Sequence, residues 1–97
     1  MQIYLKEDLK NAFIMYAKEV AVTISESLYR YAKMNPGKTE YDETLYLHRQ
    51  IADEVFICLQ DRFPDSEVNM SFTADLDPDY GIPCEHGMAK FTINWSE

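Results

Sequence analysis

The residues with the clearest chemical potential lie in one acidic segment, Asp75-Leu-Asp-Pro-Asp-Tyr-Gly81. Alternating aspartates are typical of the start of a calcium loop, because a hard cation takes several carboxylate oxygens. The segment departs from that pattern, since the glycine stands at the seventh position instead of the sixth and His86 stands where the twelfth-position Glu belongs. We therefore interpret Asp75, Asp77 and Asp79 as a solvated acidic turn and predict no bound metal and no cofactor.

Two histidines and two cysteines form a second candidate set: His48, Cys58, Cys84 and His86. Zinc sites typically contain pairs of ligands that are close in the sequence, such as C-x-x-C or H-x-x-x-H. The chain has neither pair, which argues against a zinc site. A nucleophilic cysteine needs surroundings that stabilise its thiolate, whereas Cys84 lies among acidic residues. No phosphate-binding loop or protease motif occurs. We predict a protein that is not an enzyme, with a small metal-binding or Cys/His enzyme as the weaker alternative.

The charge of the chain is unevenly distributed. Residues 1–39 carry six Lys/Arg and four Asp/Glu, whereas residues 40–97 carry three Lys/Arg and thirteen Asp/Glu. This excess of acid argues against direct nucleic-acid binding, which needs clustered basic residues. It favours a basic protein partner, whose approach the acidic surface would accelerate.

Length and composition indicate a single domain, residues 1–97, with one modest core. No apolar run approaches the roughly 20 residues of a membrane-spanning helix, so we predict no membrane association. The start of the sequence does not resemble a signal peptide. With two cysteines outside any disulfide framework, we expect a cytoplasmic protein with reduced thiols, although one disulfide in an exported protein is an alternative.

Hydrophobic periodicity predicts two helices. The first covers about residues 6–34, with an apolar face at helical spacing, and Asn35-Pro-Gly37 ends it. That face comprises Leu9, Phe13, Tyr16, Ala17, Val20, Ile24, Leu28 and Tyr31. The second covers about residues 40–63, with Thr39 as its N-cap and Pro64 after its end. A connection of about five residues predicts an antiparallel helical hairpin.

After Pro64, the spacing of hydrophobic residues changes from about 3.6 residues, typical of a helix, to 2 residues, typical of a strand. Residues 68–74 and 89–95 alternate between apolar and polar, which predicts two antiparallel strands joined by the acidic loop. Residues 1–5 alternate weakly and would add a third strand at one edge. The predicted fold class is therefore α+β: an antiparallel helical hairpin packed on a small two- or three-stranded antiparallel sheet, with Val68, Met70, Phe72, Phe91, Ile93 and Trp95 facing the helices.

Two surfaces outside this core are candidate interaction sites. On the predicted second helix, acids surround two apolar anchors, and interfaces favour such anchors within a polar rim. With the acidic loop, this gives the predicted partner-binding residues Glu43, Tyr46, Asp53, Glu54, Ile57, Asp61, Asp75, Asp77 and Asp79. On the first helix, Met15, Val22 and Tyr29 recur every seven residues opposite the core face. They are either a self-association surface or are covered within the chain.

The leading functional hypothesis is a small acidic inhibitor or immunity-type protein. It would cover a basic, nucleic-acid-handling surface of a partner, with carboxylates in the positions of phosphates. Phage anti-defence and toxin-neutralising proteins are similar to it in size and charge, and this resemblance covers composition alone. The alternative from a different class is a homodimeric structural or assembly protein that associates through its apolar first helix.

Overall fold

A computed structural model describes residues 2–97 as an α+β domain, which confirms the predicted class. Within these residues, three helices and three strands follow one another. The elements are α1 (Lys6–Lys10), α2 (Ala12–Met34), β1 (Glu40–His48), α3 (Arg49–Arg62), β2 (Glu67–Leu76) and β3 (Pro83–Asn94).

The sheet is antiparallel with the order β1-β3-β2, so β3 is central and β1 and β2 are the two edges. Strands β1 and β2 are parallel to each other, and α3 is the crossover between them. The unit is thus a βαβ crossover with a third strand inserted between its parallel strands. The hairpin between β2 and β3 matches the prediction, and both strands extend further toward the loop than predicted.

The predicted helix over residues 40–63 is wrong in its first half, where the structure has strand β1. Residues 40–48 alternate in burial, with Tyr41, Leu45 and Leu47 on the covered face. Tyr41 and Leu45 are four residues apart, so they also fit a helical pattern. The choice depends on β3, whose Ile93 and Ala89 are the register partners of Tyr41 and Leu45.

Consequently the predicted helical hairpin is not confirmed. Helices α2 and α3 contact each other, but a strand lies between them in the chain instead of a short turn. The third strand of the sheet is β1 and not the N-terminal segment: residues 2–5 lie outside the sheet, and Met1 lies outside the described residues.

The core lies between the sheet and the two long helices. From α2 it takes Ala17, Ala21, Ile24 and Leu28, from α3 Ala52, Val55 and Leu59, and from the strands Leu47, Val68, Ala89, Phe91 and Ile93. Met70, Phe72 and Trp95 are partly buried against it, as predicted for the inner sheet face. The opposite, open face of the sheet carries exposed side chains such as Tyr46 and Met88.

Helix α2 extends beyond this core at its N-terminal end. The predicted first helix is present, with an interruption at Asn11 that separates α1 from α2. Leu9 and Tyr16, predicted on the core face, are exposed, whereas Ala21 is fully buried. Among residues 2–97, no helix is long and apolar enough to cross a membrane.

Candidate protein-binding surface

The acidic segment of the sequence forms the tip of the β2–β3 hairpin, residues 75–83. Strand pairing ends at Leu76 and Pro83, and the Asp77 amide donates to the Ile82 carbonyl oxygen at 2.8 Å. The Gly81 amide donates back to the Asp77 carbonyl oxygen at 2.8 Å. Gly81 has φ +66°, a left-handed conformation that glycine adopts without a steric penalty. The loop is thus closed by backbone hydrogen bonds.

The Asp77 side chain fixes the same loop from inside. Its Oδ1 accepts the Asp79 amide at 2.8 Å and the Tyr80 amide at 3.2 Å. An aspartate that binds the amides two and three residues ahead is a common way to stabilise a turn. Asp77 is therefore a structural residue of the turn, and its hydrogen bonds hold the tip in one conformation.

This turn presents three large apolar side chains to solvent. Tyr80 is 79% exposed, Leu76 63% and Ile82 61%. Loops of this composition are usually polar, and none of these three side chains is buried in the fold. Carboxylates at Asp75, Asp79 and Glu85 stand beside them. The tip therefore combines three exposed apolar side chains with neighbouring carboxylates.

The open sheet face continues the surface away from the tip. Tyr46 of β1 donates its hydroxyl to Asp75 Oδ2 at 2.6 Å, across the central strand. Its ring stacks on His86 with the ring centroids 5.9 Å apart. The hydrogen bond to Asp75 raises the pKa of Tyr46, because the carboxylate favours the protonated phenol. Tyr46 and Asp75 thus belong to one surface.

His48 and His86 pack against each other at the end of the sheet next to the tip. The His48 and His86 rings meet edge to face with centroids 5.0 Å apart. His48 Nε2 lies 3.0 Å from Glu85 Oε2, and its Nδ1 accepts the Gln50 amide at 3.0 Å. His48 is therefore the N-cap of α3 rather than a residue within a helix.

The remaining predicted partner-binding residues are distributed over other surfaces. Glu43 lies on β1 with Tyr46, so both assignments to the second helix are wrong. Glu43 points to the opposite face of the sheet, where its Oε1 accepts the Tyr41 hydroxyl at 2.6 Å. Burial and then this hydrogen bond raise the pKa of Tyr41 to about 12.

Four further predicted residues do share one face of α3, away from its buried Ala52, Val55 and Leu59. They are Asp53, Glu54, Ile57 and Asp61. Because α3 covers the other face of the sheet, this acidic helix face is separate from the hairpin tip. The predicted partner-binding residues other than Glu43 therefore lie on two separate candidate surfaces.

The predicted self-association residues lie on α2 on the side away from its buried residues. Met15 and Tyr29 are exposed and Val22 is half-buried. Neither the sheet nor α3 covers Met15 or Tyr29, so the stripe remains a prediction of self-association.

The cysteines and histidines do not form a metal-binding cluster. Both cysteines are free; Cys84 is exposed on β3, and Cys58 is half-buried on α3. Within residues 2–97, no group of three or more histidine, cysteine, aspartate and glutamate side chains is arranged to hold a metal ion.

Comparisons with known protein families, with curated proteins and with solved structures found no match for this chain.

Proposed function

We propose that this protein binds a basic surface of a partner protein through its hairpin tip and acts as a small acidic inhibitor. The observation that supports this most directly is the exposure of Leu76, Tyr80 and Ile82 on a loop that hydrogen bonds hold in one conformation. A pre-ordered loop loses little conformational entropy on binding, which favours affinity.

Charge supports a cationic partner. From residue 63 to residue 89 the chain has six acidic residues and no Lys or Arg, and this stretch contains the whole tip. Such a surface accelerates encounter with a basic protein and repels acidic ones. The partner would present an apolar hollow for Tyr80, surrounded by Lys or Arg.

Inhibition follows if the covered surface normally binds nucleic acid. Carboxylates of the tip and of the adjoining sheet face would pair with side chains that otherwise contact phosphates. The apolar anchors would add contacts that a phosphate backbone does not make. The bound partner would then lose affinity for nucleic acid.

The test begins with affinity capture from the organism that encodes the chain, followed by binding measurements with the purified partner. Tyr80→Ala with Ile82→Ala should speed dissociation at least about tenfold, as expected for central anchors. Tyr29→Ala is the matched control, because Tyr29 is similarly exposed at 71% but lies on α2. It should leave the kinetics unchanged.

A second pair of variants separates the two acidic surfaces. Asp75→Lys with Asp79→Lys should chiefly slow association and reduce its salt dependence. Asp53→Lys with Glu54→Lys, on α3, should have a much smaller effect. If the α3 variants abolish binding while the tip variants bind normally, the site is the α3 face and the proposed tip is wrong.

A further inference from the structure

A second charged surface lies on the helical layer of the molecule, and its charge is opposite to that of the hairpin tip. It is a hollow of about 420 Å³, formed by the C-terminal half of α2 and the last residue of α3. Its charged lining residues are Arg30, Lys33 and Arg62 against the single acid Glu26. We call it the basic hollow, because its lining is cationic although the chain has a net charge of −8.

The three basic side chains have no counter-ion within the fold. They are exposed, and no ion pair among residues 2–97 includes Arg30, Lys33 or Arg62. The helix dipole favours cations in the last turns of α2 and α3, which accounts for Lys33 and Arg62 individually. It does not account for their convergence with Arg30 on one hollow, where like charges repel one another. An acidic ligand would relieve that repulsion.

The hairpin tip offers the complementary surface. It carries Asp75 and Asp79, and no Lys or Arg occurs from residue 63 to residue 89. Tyr80 is 79% exposed on the tip, and the basic hollow has apolar walls at Val22 and Tyr29 that can receive an aromatic ring. The tip also projects beyond the last paired residues of the sheet, so it can enter a hollow. Charge and apolar contact are therefore matched between two surfaces of the same chain.

We propose that the basic hollow is the docking site for the hairpin tip of a second copy, so that the protein assembles head to tail. Tyr80 would pack against Val22 and Tyr29, and a guanidinium group of the hollow would lie over its ring. The carboxylates of the tip would pair with the basic side chains of the hollow. The inference does not rest on the proposed inhibitor function, although both use the tip.

The topology shows why the tip must come from another copy. Strands β1 and β2 begin at the same end of the sheet, where Glu40 and Glu67 both pair with Asn94. Helices α2 and α3 end shortly before these strands, so the basic side chains of the hollow lie toward that end. The tip lies at the other end of β2, whose 10 residues span roughly 33 Å. A tip therefore does not reach the hollow of its own chain.

This contact has a definite consequence for assembly, because each copy uses its tip and its basic hollow with two different neighbours. Such a head-to-tail contact gives a ring if the rotation between copies closes, and an open chain if it does not. An interface limited to one loop and one hollow is small, and small interfaces are usually transient. We therefore expect assembly at high micromolar concentration and a monomer below it, so binding of a basic partner at lower concentration would begin from the monomer.

The experiment measures mass by analytical ultracentrifugation from low micromolar to submillimolar concentration. We expect the mass to rise above that of a monomer at low salt and to fall again as salt rises, because salt screens contacts between opposite charges. Arg30→Gln with Arg62→Gln should weaken assembly at least about fivefold. Lys6→Gln with Lys10→Gln is the matched control, since it removes two exposed positive charges from α1 and should not weaken assembly.

A second variant tests the tip against the effect of net charge. Asp75→Asn with Asp79→Asn should weaken assembly by a similar factor, although it reduces the net negative charge that keeps copies apart. Asp53→Asn with Glu54→Gln on α3 changes the net charge equally and should not weaken assembly. Circular dichroism should show an unchanged fold in every variant.

The sharpest measurement mixes the hollow variant with the tip variant. Each alone should be largely monomeric, but the intact tip of the first fits the intact hollow of the second, so the mixture should form 1:1 dimers and nothing larger. A mixture no heavier than its components would overturn the proposal. So would assembly that the hollow variant leaves unchanged, or a wild-type chain that stays monomeric at submillimolar concentration and low salt. The hollow variant keeps its tip and should still bind a basic partner, so the two proposals fail separately.

Discussion

Tyr46 donates its hydroxyl to the Asp75 carboxylate at 2.6 Å, although 29 residues separate them in the chain. Tyr46 lies on one edge strand and Asp75 on the other, so the bond passes over the central strand β3. It ties the base of the hairpin tip to the far edge of the sheet. The tip and the open sheet face are therefore positioned by a common contact.

This hydrogen bond predicts how Tyr46 titrates. Asp75→Asn removes the negative charge and the charged acceptor, so the pKa of Tyr46 should fall toward its ordinary value. Tyrosine-selective ¹³C NMR across alkaline pH would follow the ring directly. Tyr41 is the internal control, because its raised pKa arises from burial and Glu43 and should not move. An unchanged Tyr46 titration in the Asp75→Asn protein would contradict the hydrogen bond.

The raised pKa of Tyr41 predicts how the stability of the fold changes at alkaline pH. Its pKa is raised from 10.0 to about 12, so between these values the folded chain keeps a proton that the unfolded chain releases. The stability due to this difference is complete below pH 10 and is lost as pH rises toward 12. Across this pH window, the unfolding free energy of wild type, measured in urea, should fall by about 1–2 kcal/mol more than that of Tyr41→Phe. This figure allows for the partial exposure of the Tyr41 ring. Parallel losses would show that other groups control the alkaline transition.

The sequence pattern was sufficient to predict β2, β3 and the fold class, because apolar and polar residues alternate along a half-buried strand whatever its partner. It was insufficient for β1. Tyr41 and Leu45 satisfy either period, and the deciding interaction is with β3, more than forty residues away. The helix before β1 ends at a local signal, Asn35-Pro-Gly37, and that boundary was predicted correctly.

The candidate site was only partly predictable. Asp75, Asp77 and Asp79 were recognised from composition, but Leu76, Tyr80 and Ile82 were missed. Their signal was present: large apolar residues in a segment that is otherwise typical of a polar loop. The opposite error occurred at Leu9 and Tyr16, because helical periodicity identifies a face but not how far along the axis its partner extends.

The close approach of β2 and β3 next to the tip predicts a strict requirement for glycine. A Cβ on Gly87 would clash with the Thr73 carbonyl oxygen and lie 2.7 Å from the Ala74 Cα. Gly87→Ala should therefore cost about 2–3 kcal/mol of unfolding free energy, as overpacking does in a close-packed region. Gly37→Ala is the control, since no atom lies within 4 Å of its added Cβ and its φ is not positive. Equal stability of the two variants in urea would show that β2 moves aside without cost.

The last prediction concerns the junction of β1 and α3, where His48 has two roles. Its Nδ1 accepts the Gln50 amide, so the neutral ring carries its proton on Nε2, the atom that faces Glu85. A cap that satisfies a free amide in the first turn of a helix is worth about 1 kcal/mol.

His48→Phe keeps a ring but loses the acceptor, and urea unfolding should show a loss of unfolding free energy of about that size. His48→Asn keeps a capping oxygen and should recover most of the loss, although it shortens the reach to Glu85. Glu85→Gln tests the other contact, which is exposed on the Glu85 side and should contribute less than the cap. Equal stability of the Phe and Asn variants would show that the strand-to-helix junction is held by β1 pairing and packing alone.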